Sequence, residues 1–320
     1  MRVSDRRLIS FVLPVYNEEG NIDLLHDTLA ETVGALPYDL EFVFVNDGSA
    51  DGSMGVLESL AARDPRVTVV DLSRNFGHQV AVTAGLDTAR GDAIIIMDAD
   101  LQDPPRVCVD LITEWEAGSD VVYAQRRTRQ DTAFKRVTAH AYYRVLGRLT
   151  DIDIPPDTGD FRLIDRRVHE HLARYREHHR FIRGMVVDAG FRHTAVQFDR
   201  DARHAGTTGY PLRALVKLAT DGIFGFSTKP LQLISRAGYV MAFLAVLAAG
   251  YATIARLFFP ERVVEGWAFV VVAMAFIGGL QLIMLGILGS YIGRIYNEVK
   301  RRPLYGVQRV IGGPGPRDHG

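Results

Sequence analysis

With 320 residues and 48% apolar content, the chain is long enough for one large or two modest domains and apolar enough that part of it can face lipid. A formal net charge of -1, with 33 arginines to four lysines and no basic stripe interleaved with aromatics, argues against a nucleic-acid partner. The single cysteine, Cys108, excludes an internal disulfide and suits a reducing compartment.

The basic start leads into an apolar run of only about seven residues that meets Pro14 and acids, too short for a secretory signal. From there strand-like and helix-like segments alternate. Residues 8–15, 40–47, 67–73, 93–100 and 120–126 are short β-branched runs. Between the first two, Ile22, Leu25, Leu29 and Val33 recur at helical spacing, with Asn21 placed to cap. Such alternation predicts an α/β domain with a mostly parallel sheet covered by helices on both faces. Ligands of such sheets bind beyond the carboxyl ends of the strands, which here read "PVYNEE", "VNDGSADGS", "SRNFGHQ" and "MDADLQDPP".

After residue 126 the pattern loosens into an Arg-rich helix over 132–149, a turn over 153–167 and a basic, aromatic stretch "REHHRFIRGMVV", of which "EHHRFIR" reads as a mobile basic loop near the lipid headgroups. Residues 211–227 place Leu212, Leu215, Val216, Ala219, Ile223 and Phe226 on one face, the pattern of a helix lying on a bilayer surface. Residues 237–255 and 266–293 contain no Asp, Glu, Lys or Arg, and each is long enough to cross roughly 30 Å of hydrocarbon. The expected organisation is an α/β domain over 1–210, a juxtamembrane helix over 211–230, two membrane helices within 231–295 (about 237–258 and 267–293) and a basic tail over 296–320 whose last residues are disordered. Lys217, Lys229 and Arg236 precede the first span, and Arg294, Lys300, Arg301 and Arg302 follow the second. The positive-inside rule therefore predicts a multi-pass protein of the cell membrane with both ends cytoplasmic.

Three carboxylates within "DADLQD" repel one another unless a cation or open water relieves them. Asp100 and Gln102 can bind a hard divalent cation, with Asp98 on the metal or on a sugar hydroxyl, whereas Asp103 before Pro104 and Pro105 reads as a helix cap. Asp51 reads as a cap for a helix from Ser53, and Asp47 sits where a base or ribose can be hydrogen-bonded. For His78 the structural reading outweighs the functional one, and the adjacent His178 and His179 do not share a helix face.

These segments together resemble the family-two inverting glycosyltransferases with a GT-A fold, and more closely the polyprenyl-phosphate and dolichyl-phosphate sugar synthases. The resemblance runs through "VLPVYNEEGNI", "VNDGSADGS", "LSRNFGHQVAVTAGLDTARGDAIIIMDADLQDPP", "TGDFRLIDR", "FIRGM" and "AGTTGYPL" to the two spans. It implies a nucleotide sugar (UDP- or GDP-linked) as donor, a polyprenyl phosphate in the lipid bilayer as acceptor, and Mg²⁺ or Mn²⁺. It also implies that Pro14, Tyr16, Glu18, Asp47, Asp98 and Ala99 bind the nucleotide sugar. Asp98, Asp100 and Gln102 would hold the metal, and Arg126, Arg127 and Arg162 would neutralise phosphate. Asp160 takes the place of a candidate base, with Asp157 as rival, and Lys217, Lys229 and Arg236 face the lipid phosphate. A homo-oligomer remains open.

A lipid monophosphate has a second pKa of about 6, so its oxygen is already anionic at neutral pH and needs no base. The expectation is therefore that Asp160 orients groups rather than abstracting a proton. Rival readings are a processive polysaccharide synthase, which needs more spans and a Gln-x-x-Arg-Trp segment, a phosphohydrolase using Asp98, and an inert scaffold that binds nucleotide sugar.

Overall fold

The computed structural model describes residues 6–127, 158–199, 229–258 and 267–313. The helix expected over 132–149, the surface helix up to residue 228, the "AGTTGYPL" segment and, with them, Asp157 and Lys217 lie outside the described residues.

Strands β1 (Leu8–Val15), β2 (Asp39–Asn46), β3 (Val67–Leu72), β4 (Ala93–Ile96) and β5 (Val121–Arg126) fall on the five runs expected from sequence. Three more, β6 (Thr158–Asp165), β7 (His193–Phe198) and β8 (Val307–Ile311), complete one eight-stranded sheet in the order β7-β5-β6-β4-β1-β2-β3-β8. The pairs β1–β2, β1–β4, β2–β3 and β5–β7 are parallel, whereas β6 runs antiparallel between β4 and β5, and β8 antiparallel along β3.

The central strands are covered on both faces, which is why they read as unbroken apolar runs. On one side Phe11, Leu13, Phe42 and Phe44 pack with Leu25, Leu57 and Leu111 of α1 (Ile22–Gly34), α2 (Ser53–Arg63) and α4 (Val107–Glu116). On the other, Val12, Ile94 and Ile96 pack with Val82, Leu86, Val168 and Met185 of α3 (His78–Thr88), α5 (Arg166–Leu172) and α6 (Ile182–Asp188). This is the expected three-layer α/β arrangement.

Two caps differ from expectation. Asn21 makes no side-chain capping bond to α1, and its Nδ2 amide donates to Glu18 Oε2 at 2.6 Å. Asp103 is not the cap of α4, which begins only at Val107 after two turns closed on Pro104 and Pro105. Pro104, Pro105 and Arg106 thus form turns before the helix, and Asp103 is buried ahead of them. Asp51 does accept the Ser53 N–H at 3.0 Å at the start of α2.

The stretch expected as a turn over 153–167 contains β6, whose ladders to β4 and β5 override the local signal of Gly159. That strand positions the site. Ile96 of β4 lies opposite Arg162 of β6, and carrying the antiparallel register on by two residues sets Asp160 opposite Asp98. The loop expected over 177–183 runs into α6 and is tied down along its length, as described below.

Helices α7 (Lys229–Phe258, 30 residues) and α8 (Trp267–Val299, 33 residues) pack against each other and are long and apolar enough to cross a membrane. Large apolar side chains remain outside, with Phe243 63% and Leu282 71% exposed, where a soluble core helix would bury them. Lys229 opens α7, and Arg236 lies two turns into it. The tail after α8 returns to the domain as β8, a strand that the polar flanks of "VQRVI" do not advertise.

Candidate active site

The loops after β1 and β2 are clipped together. Asn17 N–H donates to Ser49 Oγ (3.0 Å), Glu18 N–H to Ser53 Oγ (3.0 Å) and Gly52 N–H to Glu19 Oε2 (3.0 Å), while Asn17 Oδ1 accepts the Ala50 N–H (2.8 Å). Pro14 is buried in β1, and Tyr16, half exposed, stands just past its end. Asp47 is buried, with Oδ1 accepting from Phe76 N–H (2.7 Å) and Oδ2 from Gly77 N–H (2.9 Å). Burial outweighs these two bonds and raises its pKa. Asp47 therefore holds the loop between β3 and α3. Gly48, at φ +66°, lets that loop lie close, since a Cβ there would meet Asn75 N at 2.6 Å.

Beyond β4, Leu101 adopts φ +58°, and Asp100 Oδ1 accepts the Gln102 N–H across it (3.1 Å). A left-handed non-glycine residue marks a strained turn, here directly after Asp98 and Asp100, whose i, i+2 spacing puts them on one face of an extended chain. Burial raises the pKa of Asp98; His78 opposes this, and Asp160 and Asp100 add to it. Among the described residues no group of three or more His, Cys, Asp or Glu is arranged to hold a metal ion. Two carboxylates and one amide nevertheless fit a hard divalent cation that completes its shell with diphosphate oxygens, and such a charge relieves the crowding at Asp98.

His78, the first residue of α3, stands between the facing carboxylates, with Nε2 3.0 Å from Asp160 Oδ2 and 3.6 Å from Asp98 Oδ1. Burial opposes its charge, but the Asp160 bond and the field of Asp98 prevail and raise its pKa to about 9. Asp160 also accepts from Gln79 Nε2 (3.1 Å) and from Arg183 Nε at Oδ1 (2.9 Å). Burial would raise the Asp160 pKa, but Arg183 and His78 hold it well below the usual carboxylate range. His78, Gln79 and Arg183 are thus central here. Sequence reasoning weighted His78 as structural and left Arg183 unassigned, although its position after "FI" in "FIRGM" opens a helix.

Arg162 departs from its implied role. Its side chain is wholly buried, donating to Gly159 O (2.7 Å) and Asp160 O (3.2 Å) over the Tyr123 ring. It supports the start of β6 from behind, at the carbonyls of Gly159 and Asp160. Arg126 is partly exposed at the end of β5, 3.9 Å from the buried Asp103, and Arg127 is exposed, 3.8 Å from Asp199. Ala99 is buried between Asp98 and Asp100. Lys229 and Arg236 lie on α7, apart from this cluster in the chain's layout.

A family model described as "Glycosyl transferase family 2" matches residues 10–173. An uncharacterized glycosyltransferase of Bacillus subtilis is 47% identical over 304 residues, covering 95% of this chain and 94% of its own. A prophage bactoprenol glucosyl transferase homolog of Escherichia coli is 40% identical over 303 residues, 94% of this chain and 99% of its own. The bactoprenol glucosyl transferase of Shigella phage SfII is 40% identical over 302 residues, 94% and 97% of the respective chains.

Proposed function

Because the chain belongs to glycosyl transferase family 2, we propose that it moves a single sugar from a UDP- or GDP-linked donor to a polyprenyl phosphate in the bilayer, with inversion. The observation that carries this reading is the Asp98–His78–Asp160–Arg183 cluster in a sheet domain that is followed along the chain by two membrane-length helices. The names of the phage-type relatives, which specify bactoprenol and glucose, support the acceptor class and put glucose first among the sugars to test.

The donor lies across the loops after β1, β2 and β4. Asp47, Tyr16, Glu18 and Pro14 shape the nucleotide side, and Asp98, Asp100, Gln102 and the backbone at Ala99 face the diphosphate. Asp98, Asp100 and Gln102 would hold Mg²⁺ or Mn²⁺, which supplies charge neutralisation for the departing diphosphate. Arg126 stands at the end of β5 on the same side, with Arg127 next to it as an outer cation.

The acceptor's phosphate oxygen is already anionic, so the site's task is to bring a polyanion beside a diphosphate. Arg183, 25% exposed, is the cation placed for this, and Asp160 orients it through the Nε bond. Both Asp160 oxygens accept from cations or amides, leaving it poorly suited to abstract a proton. Arg162 keeps the β6 backbone at Asp160 in place. Asp157 and Lys217 stay as sequence-based candidates for the acceptor side.

Lys229 and Arg236 before the first span, and Arg294, Lys300, Arg301 and Arg302 after the second, support a cytoplasmic placement of both ends. Independent support comes from β8. A tail that pairs with β3 after two crossings needs the catalytic domain and the second helix end on one side of the bilayer. The test is a panel of UDP- and GDP-sugars with a short polyprenyl phosphate and purified protein. One lipid-linked monosaccharide of inverted anomeric configuration is expected, and a retained anomer or a polymer contradicts the reading.

A further inference from the structure

The stretch between α5 and α6 is anchored at one end to α8 and at the other to Asp160. His178 N–H donates to Glu298 Oε1 at 2.8 Å, and its Nδ1 lies 3.4 Å from Glu298 Oε2. Glu298 sits in the last turn of α8, beyond the charge-free segment that ends at Gly293. Beside this contact Arg176 Nη1 reaches both oxygens of Asp87 (2.9 and 3.0 Å), and Tyr305 O–H, from the segment after α8, donates to Asp87 Oδ2 (2.6 Å). Four residues past His178, Ile182 N–H donates to Gln79 Oε1 (2.9 Å), whose amide donates on to Asp160, and Arg183 clasps Asp160 directly. The backbone of residues 178–183, hydrogen-bonded to Glu298 at one end and to Gln79 and Asp160 at the other, therefore joins the end of a membrane-length helix to Asp160.

We propose that Glu298 is a positioning residue for the transfer reaction: acting through His178 and the 178–183 stretch, it fixes Arg183 and Asp160 relative to the bilayer surface. The physical need follows from the proposed function, on which this inference rests. A polyprenyl phosphate cannot leave the membrane, so its phosphate lies at a set depth, and the groups that receive it must be held at that depth. At 33 residues α8 runs roughly 50 Å, longer than the roughly 30 Å hydrocarbon core, so its final turns emerge as a rigid post. The donor loops after β1 and β2 have their own clips and do not use this connection.

Glu298→Ala removes the acceptor of the His178 N–H, whereas Glu298→Gln keeps an oxygen for it. In protein reconstituted in vesicles, Glu298→Ala is expected to raise KM for vesicle-borne polyprenyl phosphate about tenfold, the size of effect expected along a coupling path, with donor KM unchanged. KM for a water-soluble short-chain prenyl phosphate stays at the wild-type value, and Glu298→Gln restores most of the bilayer KM. Tyr305→Phe, which unties the neighbouring brace, gives the same lipid-selective rise at about threefold and decides the matter if Glu298→Ala does not fold. Unchanged KM for the vesicle-borne acceptor in these variants, or a parallel loss of donor KM, soluble-acceptor KM and thermal midpoint, overturns the proposal. Wild-type protein that performs no lipid-dependent transfer instead overturns the functional reading beneath it.

Discussion

Asp100→Ala is expected to slow transfer by about three orders of magnitude while costing about 1 kcal/mol of stability. The stability cost is small because Asp100 is partly exposed at a turn, where its carboxylate accepts the Gln102 N–H and caps no core element. The activity cost is large because a hard divalent cation bound with a diphosphate takes only one or two protein carboxylates, so loss of Asp100 removes up to half of the charged protein ligands. Titration of Mn²⁺ in the presence of nucleoside diphosphate provides a readout apart from turnover, and the variant is expected to lose that binding. Asp100→Ala protein with near wild-type transfer would remove Asp100 from the site.

Asp160→Ala is expected to cost about 3–5 kcal/mol, because it strips the fully buried Arg162 of the carboxylate 3.7 Å from its Nη2. It also takes away the anchor of Arg183. Asp160→Asn keeps the shape and is the informative variant for chemistry. Its kcat is expected to fall about a hundredfold through misplacement of Arg183, while the pH–rate profile keeps its form. The rising limb belongs to the acceptor phosphate, with its second pKa of about 6. A rising limb present in wild-type protein and absent in Asp160→Asn would make Asp160 the base. The stability effect has a definite sign. Since Asp160 titrates well below its ordinary value, its contribution is fully present above pH 4 or so and is lost as pH falls through the folded value. Acid unfolding of Asp160→Asn should accordingly show a flatter acid limb.

The first five strands were legible because the core presses on both their faces, so "LISFVLPV" and "AIIIM" leave no polar register to misread. The same physics explains what was not legible. Residues 158–165 carry Gly159, Asp160, Arg162 and Asp165 and look like a turn, and only pairing with β4, more than sixty residues earlier, makes them a strand. Val307–Ile311 is an exposed edge strand whose partner is more than two hundred residues away. Among site residues, the carboxylates of "DADLQD" were found because like charges packed together demand an explanation. His78 and Arg183 were not, since their meaning lies in reaching Asp160 from 82 and 23 residues away. Arg162 illustrates the converse: its side chain points inward from β6, and residue type alone could not separate a phosphate ligand from a buried support.

The most direct test of the central claim is the release of nucleoside diphosphate by purified, reconstituted protein supplied with donor, with polyprenyl phosphate and divalent cation added separately and together. The expected result is release only when both are present, with formation of a lipid-linked monosaccharide in equal amount. Release that proceeds without the lipid phosphate, or transfer that proceeds at full rate in excess chelator, would contradict it.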